Sequence, residues 1–227
     1  MAAARSEEGD SSGAARRIGL LVILRAAEEV FSRHGLGGTS LQMIADVAGL
    51  PKSNIGYYFK SKEKLYLEIL ERVVAQSLNN VEIWITADRT HEEALTGYIS
   101  AQMSWARVHS DAARILALEL ATGAPASSDL LNRELKPHID RVQDVFAVWK
   151  NREGLSPVSV PHFLFCIWSM TFGYIAFTPQ IEVLLGKRSG MLADQDFNEA
   201  TRTITGFVLS ACSQNSSSLR SLPPTTR

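Results

Sequence analysis

A chain of 227 residues, 45% hydrophobic and 21% charged, has the composition of a globular protein that buries a sizeable core in one or two domains. Its 23 basic and 24 acidic residues leave a net charge of −1, which excludes a polybasic nucleic-acid binder acting through its whole surface. The longest apolar stretch, residues 163–177, falls short of the ~20 residues a membrane span needs. The opening MAAARSEEGDSSGAARR lacks the layout of a secretory signal. A cytoplasmic location is therefore expected, with Cys166 and Cys212 as buried reduced thiols, since neither has metal-ligand spacing.

Residues 1–15 are small, polar and charged and are expected to form an unstructured arm, in which Arg5, with Arg16 and Arg17 just beyond it, can track phosphates. A helix is predicted from Arg17 to His34, with Ile23, Ala27, Val30 and Phe31 inward and Gly35 as its stop. The stretch TSLQMIADVAGLPKSNIGYYF, residues 39–59, then reads as two short helices joined by a glycine turn. Thr39 with Gln42 makes a capping-box pattern. Leu41, Ile44, Ala45 and Ala48 form one apolar face, Gly49 ends the first helix, and Pro51 opens the second. Ile55 and Phe59 turn inward, leaving Lys52, Ser53, Asn54, Tyr57 and Tyr58 outside. A helix presented this way fits the DNA major groove. The alternative is a plain helical hairpin whose polar face meets water.

Ser61 caps a long helix expected to reach about Ile85, through Leu65, Ile69, Val73 and Leu78. Five further helices are predicted at His91–His109, Asp111–Thr122, Ser128–Arg152, Val160–Leu185 and Asp194–Cys212, with kinks at Pro137 and Pro179. From residue 213 the Ser- and Pro-rich tail is expected to be unstructured. The fold class is thus all-α: a helix-turn-helix domain over residues 16–62, then a helical bundle over 63–212. Between Arg16 and Lys64 the chain carries eight basic residues against Glu28, Glu29, Asp46 and Glu63, an asymmetry suited to one basic face on DNA.

Phe31, His34-Gly35, Gly38-Thr39-Ser40, Ile44-Ala45, Ala48-Gly49, Tyr58-Phe59 and Ser61-Lys62-Glu63-Lys64-Leu65 resemble the N-terminal domain of the TetR family of transcriptional repressors. Pro51 departs from that pattern, which usually has a small polar cap there. The resemblance implies a three-helix DNA-binding head and a larger effector-binding and dimerisation domain. It implies groove contacts from Gln42, Lys52, Ser53, Asn54 and Tyr57 and phosphate contacts from Tyr58 and Lys62. Asn and Gln can pair with adenine and Lys with guanine, and lysines on phosphates make binding salt-dependent.

The run RILALELATGAP at 114–125, together with Leu131, Leu135-Lys136, Ile139-Asp140, Phe165-Cys166-Ile167-Trp168-Ser169 and Tyr174, resembles the effector domain of RutR-type pyrimidine-utilisation regulators. That resemblance implies a uracil or thymine effector lowering DNA affinity, with Trp168, Thr171, Tyr174 and Gln180 as pocket candidates and Glu119 and Trp105 behind them. The same aromatic residues can equally be core or dimer packing. Phe172 and Gly173 stand where RutR-type proteins carry polar residues, so a more apolar effector is the alternative. Phe163, Phe165, Ile167, Phe172, Ile175, Phe177, Ile204, Phe207 and Val208 form the expected homodimer surface.

Catalysis is not expected. The five histidines are scattered, and no phosphate loop, nucleophile elbow or metal-ligand spacing is present. The sequence therefore points to a ligand-responsive repressor without cofactor or metal, whose partners are an operator duplex, a small effector and a second copy. A dimeric regulator that takes no ligand is the competing reading.

Overall fold

Ile23, Ala27, Val30 and Phe31 recur at helical spacing and all are buried, so the first helix presents the apolar face its periodicity predicts. The computed structural model describes residues 3–213, and side chains from Arg16 onward. Helix α1 spans Ala3–Gly38. It extends back through the segment expected to be an unstructured arm, continuing across Gly9-Asp10-Ser11-Ser12-Gly13 although these are poor helix formers. Near its other end Gly35 adopts φ 64 and ψ 177, a backbone state essentially restricted to glycine. Regular helix therefore stops at His34, as the spacing predicts. A Cβ at Gly35 would sit 3.8 Å from Cδ2 of Leu118, far along the chain.

Helix α2 (Leu41–Ala48) is capped by Ser40, whose Oγ accepts from Met43 N at 3.2 Å. This corrects the capping box expected from Thr39 and Gln42. Thr39 is buried and donates to Gly35 O at 2.7 Å, closing the end of α1, while Gln42 Nε2 donates to Asp46 Oδ1 at 2.8 Å. Gly49 takes the left-handed conformation (φ 64, ψ 29), and Leu50 N donates back to Ala45 O at 3.0 Å. Helix α3 (Lys52–Tyr58) follows with Pro51 at its N-cap and no side-chain cap. Helix α4 (Lys62–Trp84) starts at Ser61, whose Oγ accepts from Lys64 N at 3.3 Å.

The head packs Phe31, Ile44, Ile55, Leu65 and Ile69 into one core, with the Phe31 and Tyr66 rings edge-to-face at 5.0 Å. That core also contains Ala112, Ile115 and Leu116 of α6 (Ser110–Ala121) and Leu130 of α7 (Ser128–Glu153). The head is thus packed directly onto the second domain. A second core is centred on α5 (His91–Val108), where Leu95, Tyr98 and Ile99 meet Phe146 and Trp149 of α7 and Ile167 of α8 (Val160–Ala176). Ile204 and Val208 of α10 (Asp194–Cys212) complete it.

Pro137 lies inside α7 without ending it. Pro179 acts more strongly. The single helix expected over residues 160–185 divides into α8 and α9 (Thr178–Leu184), bent by 82°. Proline has no N–H to offer Ile175 O, and the Thr178 hydroxyl donates to that carbonyl instead at 2.9 Å. No single helix among the described residues is long and apolar enough to cross a membrane. No strand occurs among them either.

Of the nine residues expected on the dimer surface, Phe163, Ile167, Ile175, Ile204 and Val208 are buried within this chain's own cores. Phe165, Phe177 and Phe207 remain exposed, and Phe172 is half-buried. Periodicity marks apolar faces without telling which partner covers them. Cys212 is buried, and burial pushes its thiol up to about 11, but Cys166 is exposed, contrary to expectation. The expected tail lies outside the described residues beyond Ser213.

The Trp84 ring of α4 packs over Gly97 of α5: a Cβ there would overlap that ring. Alanine gains about 1 kcal/mol of helix propensity over glycine, but displacing a packed indole costs about 1–3 kcal/mol. Gly97→Ala is therefore expected to lower the midpoint of chemical denaturation. An unchanged or raised midpoint would show that Trp84 moves aside without loss.

Candidate DNA-binding head and effector cavity

With Ile55 fully buried, α3 is pinned in one rotation, and Lys52, Ser53, Asn54 and Tyr57 are all exposed. Gln42 is exposed on α2. All five expected groove contacts are therefore exposed on α2 and α3. Arg16, Arg17, Lys60 and Lys64 are exposed as well. The Arg16 guanidinium lies 5.7 Å from the centre of the Tyr57 ring, and the Tyr57 and Tyr58 rings meet edge-to-face at 5.2 Å. This side of the head can meet a duplex with cations flanking a polar helix.

The two expected phosphate contacts are differently employed. Tyr58 donates its hydroxyl to Arg16 O at 3.0 Å, tying the end of α3 to α1. Lys62 Nζ donates to Leu36 O and Thr39 O, both at 2.8 Å, and lies 3.4 Å from Gly37 O. Its ammonium thus serves carbonyls past the Gly35 break, where the helical ladder of α1 runs out. As placed, it is a structural clamp rather than an available phosphate ligand.

A cavity of about 920 Å³ lies between α4, α6, α7 and α8. Val74, Ser77 and Leu78 line it from α4, Leu118 and Leu120 from α6, Leu131 and Leu135 from α7, and Phe165, Trp168 and Phe172 from α8. Ser32 of α1 and Arg114 of α6 also contribute. Arg114 is the one ionisable side chain in this lining. Its Nη1 stands 3.8 Å from Asp111 Oδ1, which also accepts from Ser32 Oγ at 2.7 Å. The Ser77 hydroxyl is buried with no hydrogen-bond partner.

Among the six effector candidates taken from the sequence, Trp168 alone lines this cavity. Its indole N–H donates to Tyr98 Oη at 2.7 Å, so it presents ring surface rather than a donor. Burial raises the Tyr98 phenol well above its ordinary range. Thr171 is buried and donates to Ile167 O at 2.9 Å within its own helix. Tyr174 packs towards Phe197, with ring centres 6.3 Å apart, and Gln180 is exposed on α9. Trp105 stacks on His109 at 5.3 Å. Glu119 is a buried acceptor for Ala126 N (2.7 Å), Ser127 N (2.9 Å), Ser127 Oγ (3.2 Å) and the Tyr66 hydroxyl (3.3 Å). Burial, then the Glu119 charge, raises the Tyr66 phenol.

Arg114, Leu118, Leu120, Leu131 and Leu135 were not singled out as lining from the sequence, although all five stand in the stretches that resemble the RutR-type effector domain. The helical spacing of Leu118 with Arg114, and of Leu131 with Leu135, also puts each pair on one helix face.

The head and bundle define a helix-turn-helix DNA-binding protein with a helical C-terminal domain. Residues 23–69 match the model of the bacterial regulatory proteins of the tetR family, and residues 68–215 match that of the C-terminal region of YcdC-like proteins. The chain is 35% identical over 194 residues to the HTH-type transcriptional regulator RutR of Escherichia coli K12, covering 82% of this chain and 87% of that one. It is 36% identical over 98 residues to the HTH-type transcriptional repressor NicS of Pseudomonas putida, covering 43% of this chain and 46% of NicS. Among solved structures, a tetR-family protein from Rhodococcus RHA1 superposes with a TM-score of 0.68 at 18% identity, over 86% of this chain and 98% of that one. PfmR from Thermus thermophilus does so at 0.65 and 17%, over 85% and 96%. The chain belongs to the TetR family of transcriptional regulators, and it is a DNA-binding protein of that family.

Proposed function

We propose that this chain is a homodimeric repressor whose hold on its operator is weakened when a small molecule occupies the α4–α8 cavity. The observation that carries this reading is the cavity wall itself. Ser32 belongs to α1 of the head, and Val74 of α4 shares the apolar core of Phe31, Ile44 and Ile55, so an occupant touches the parts that position α3. A ligand shifts DNA affinity only by its differential affinity for the two states of the protein, and a wall shared with the head gives that difference a physical source. Two α3 helices must reach half-sites about 34–36 Å apart, which calls for pairing of two copies, and Phe207 is an exposed apolar residue outside the cavity lining that such pairing could cover. The RutR-type resemblance supports uracil or thymine as the occupant, whereas the apolar lining supports a larger, less polar one.

The DNA-reading assignment is tested by Lys52→Ala and Asn54→Ala. A good bidentate base contact is worth about 1–3 kcal/mol, so each is expected to weaken operator binding by about 5- to 150-fold in a gel-shift titration. The operator is a duplex selected by the wild-type protein from a random pool. Both side chains are exposed, and thermal stability is expected to stay unchanged. Wild-type affinity in both variants would overturn the assignment of α3 as the reading helix.

A further inference from the structure

We infer that the occupant of the α4–α8 cavity is a large apolar monocarboxylic acid, its hydrocarbon body lying among Phe165, Trp168, Phe172 and Leu135 and its carboxylate on Arg114. This rests on the proposal that the cavity is the effector site and gives that effector a chemistry.

Size comes first. At about 30 Å³ per non-hydrogen atom, the share of a water molecule in the liquid, a pyrimidine base fills roughly a third of the cavity's 920 Å³ or less. A body of about 20–30 non-hydrogen atoms fills it on the same scale. Polarity agrees. A pyrimidine such as uracil would bring two N–H and two C=O groups into a wall made chiefly of Leu, Phe, Ala and Val side chains. The Trp168 N–H is committed to Tyr98 and the Ser32 hydroxyl to Asp111, which leaves the Ser77 and Ser169 hydroxyls and Arg114 as the lining side chains able to pair with them, and any group those three do not reach loses water without a replacement. An alkyl chain or fused-ring body carries no such cost.

Charge fixes the remaining end. Arg114 is the single ionisable residue of the lining, its side chain is 41% exposed, and its Asp111 approach of 3.8 Å is too long for a hydrogen bond. Its guanidinium can therefore take a carboxylate side by side, the pairing its planar fork favours. Asp111 stays anchored by Ser32 and stands beside that position. A phosphate carrying two charges would meet its repulsion, so a single negative charge fits best.

The experiment is calorimetric titration of the full-length protein with oleate and with lithocholate, each below its micellar concentration, alongside their methyl esters and uracil and thymine. Operator release is measured in parallel by gel shift. At least one acid is expected to bind in the micromolar range, with its ester about tenfold weaker, the scale of one charge-assisted hydrogen bond. Arg114→Gln is expected to bring acid and ester to the same affinity. Equal affinity of acid and ester for the wild type would overturn the inference. So would binding of uracil or thymine alone, an outcome that leaves the effector cavity itself standing. An acid that binds through Arg114 without releasing operator bears out the ligand chemistry and overturns the repressor proposal instead.

Discussion

Lys62→Ala is expected to destabilise the head rather than trim its contact with phosphate. The Lys62 ammonium holds Leu36 O and Thr39 O at 2.8 Å, fastening the end of α1 to the start of α4. Hydrogen bonds to a charged group are worth about 1.5–3 kcal/mol. Because Lys62 is partly exposed, water recovers part of the loss, and about 2 kcal/mol is the expected cost. For a chain of this size that corresponds to a fall in Tm of about 4–8 °C. Operator binding would fall with it, but the slope of affinity against salt would stay that of the wild type, since no phosphate contact is lost. Unchanged Tm with a slope flatter by about one would restore the phosphate role that the family resemblance implies.

A larger effect is expected at Glu119. Its carboxylate gathers two backbone N–H groups of the α6–α7 turn, the Ser127 hydroxyl and the Tyr66 hydroxyl of α4, and the residue is only 3% exposed. Glu119→Ala would strand these donors in the interior, and removing one partner from such a buried charged network costs about 3–5 kcal/mol. The expected fall in Tm is about 6–20 °C, read by calorimetry without any ligand. Glu119→Gln retains one acceptor oxygen and is expected to fall between the two. A Glu119→Ala protein as stable as the wild type, yet blind to effector, would return Glu119 to the pocket.

How much was legible depends on which force set each feature. Helix positions follow from apolar spacing and from Gly49, Pro51 and Ser61, so α2, α3 and the start of α4 were readable almost to the residue, whereas α1 begins well before the expected Arg17. Local competition was harder to see. Thr39 and Ser40 are both plausible caps, and the choice falls on Ser40 only because Thr39 is drawn inward to Gly35 O. The resemblance assigns Lys62 to phosphate, and although Gly35 was legible as a helix stop, nothing in the local sequence shows that the carbonyls freed there lie within reach of a lysine some 25 residues on. The cavity was the least legible part. Its walls come from five helices, and an apolar residue lining an empty space has the same spacing as one packed in a core. Trp168 was identifiable through its resemblance, whereas Thr171, Tyr174 and Gln180, further along the chain, face elsewhere.

The rotated backbone at Gly35 carries a mechanical consequence. One flank of that joint faces Leu118, whose side chain is also cavity wall and would meet a Cβ placed at Gly35, and the other is strapped by Lys62 at the threshold of α4. If the chamber takes an effector, the shortest route to the reading head on this proposal runs past one leucine, a kinked hinge and one ammonium. A guest that nudged Leu118 would lean on a fulcrum where regular helix has already ended, and a small push there need break nothing to be felt.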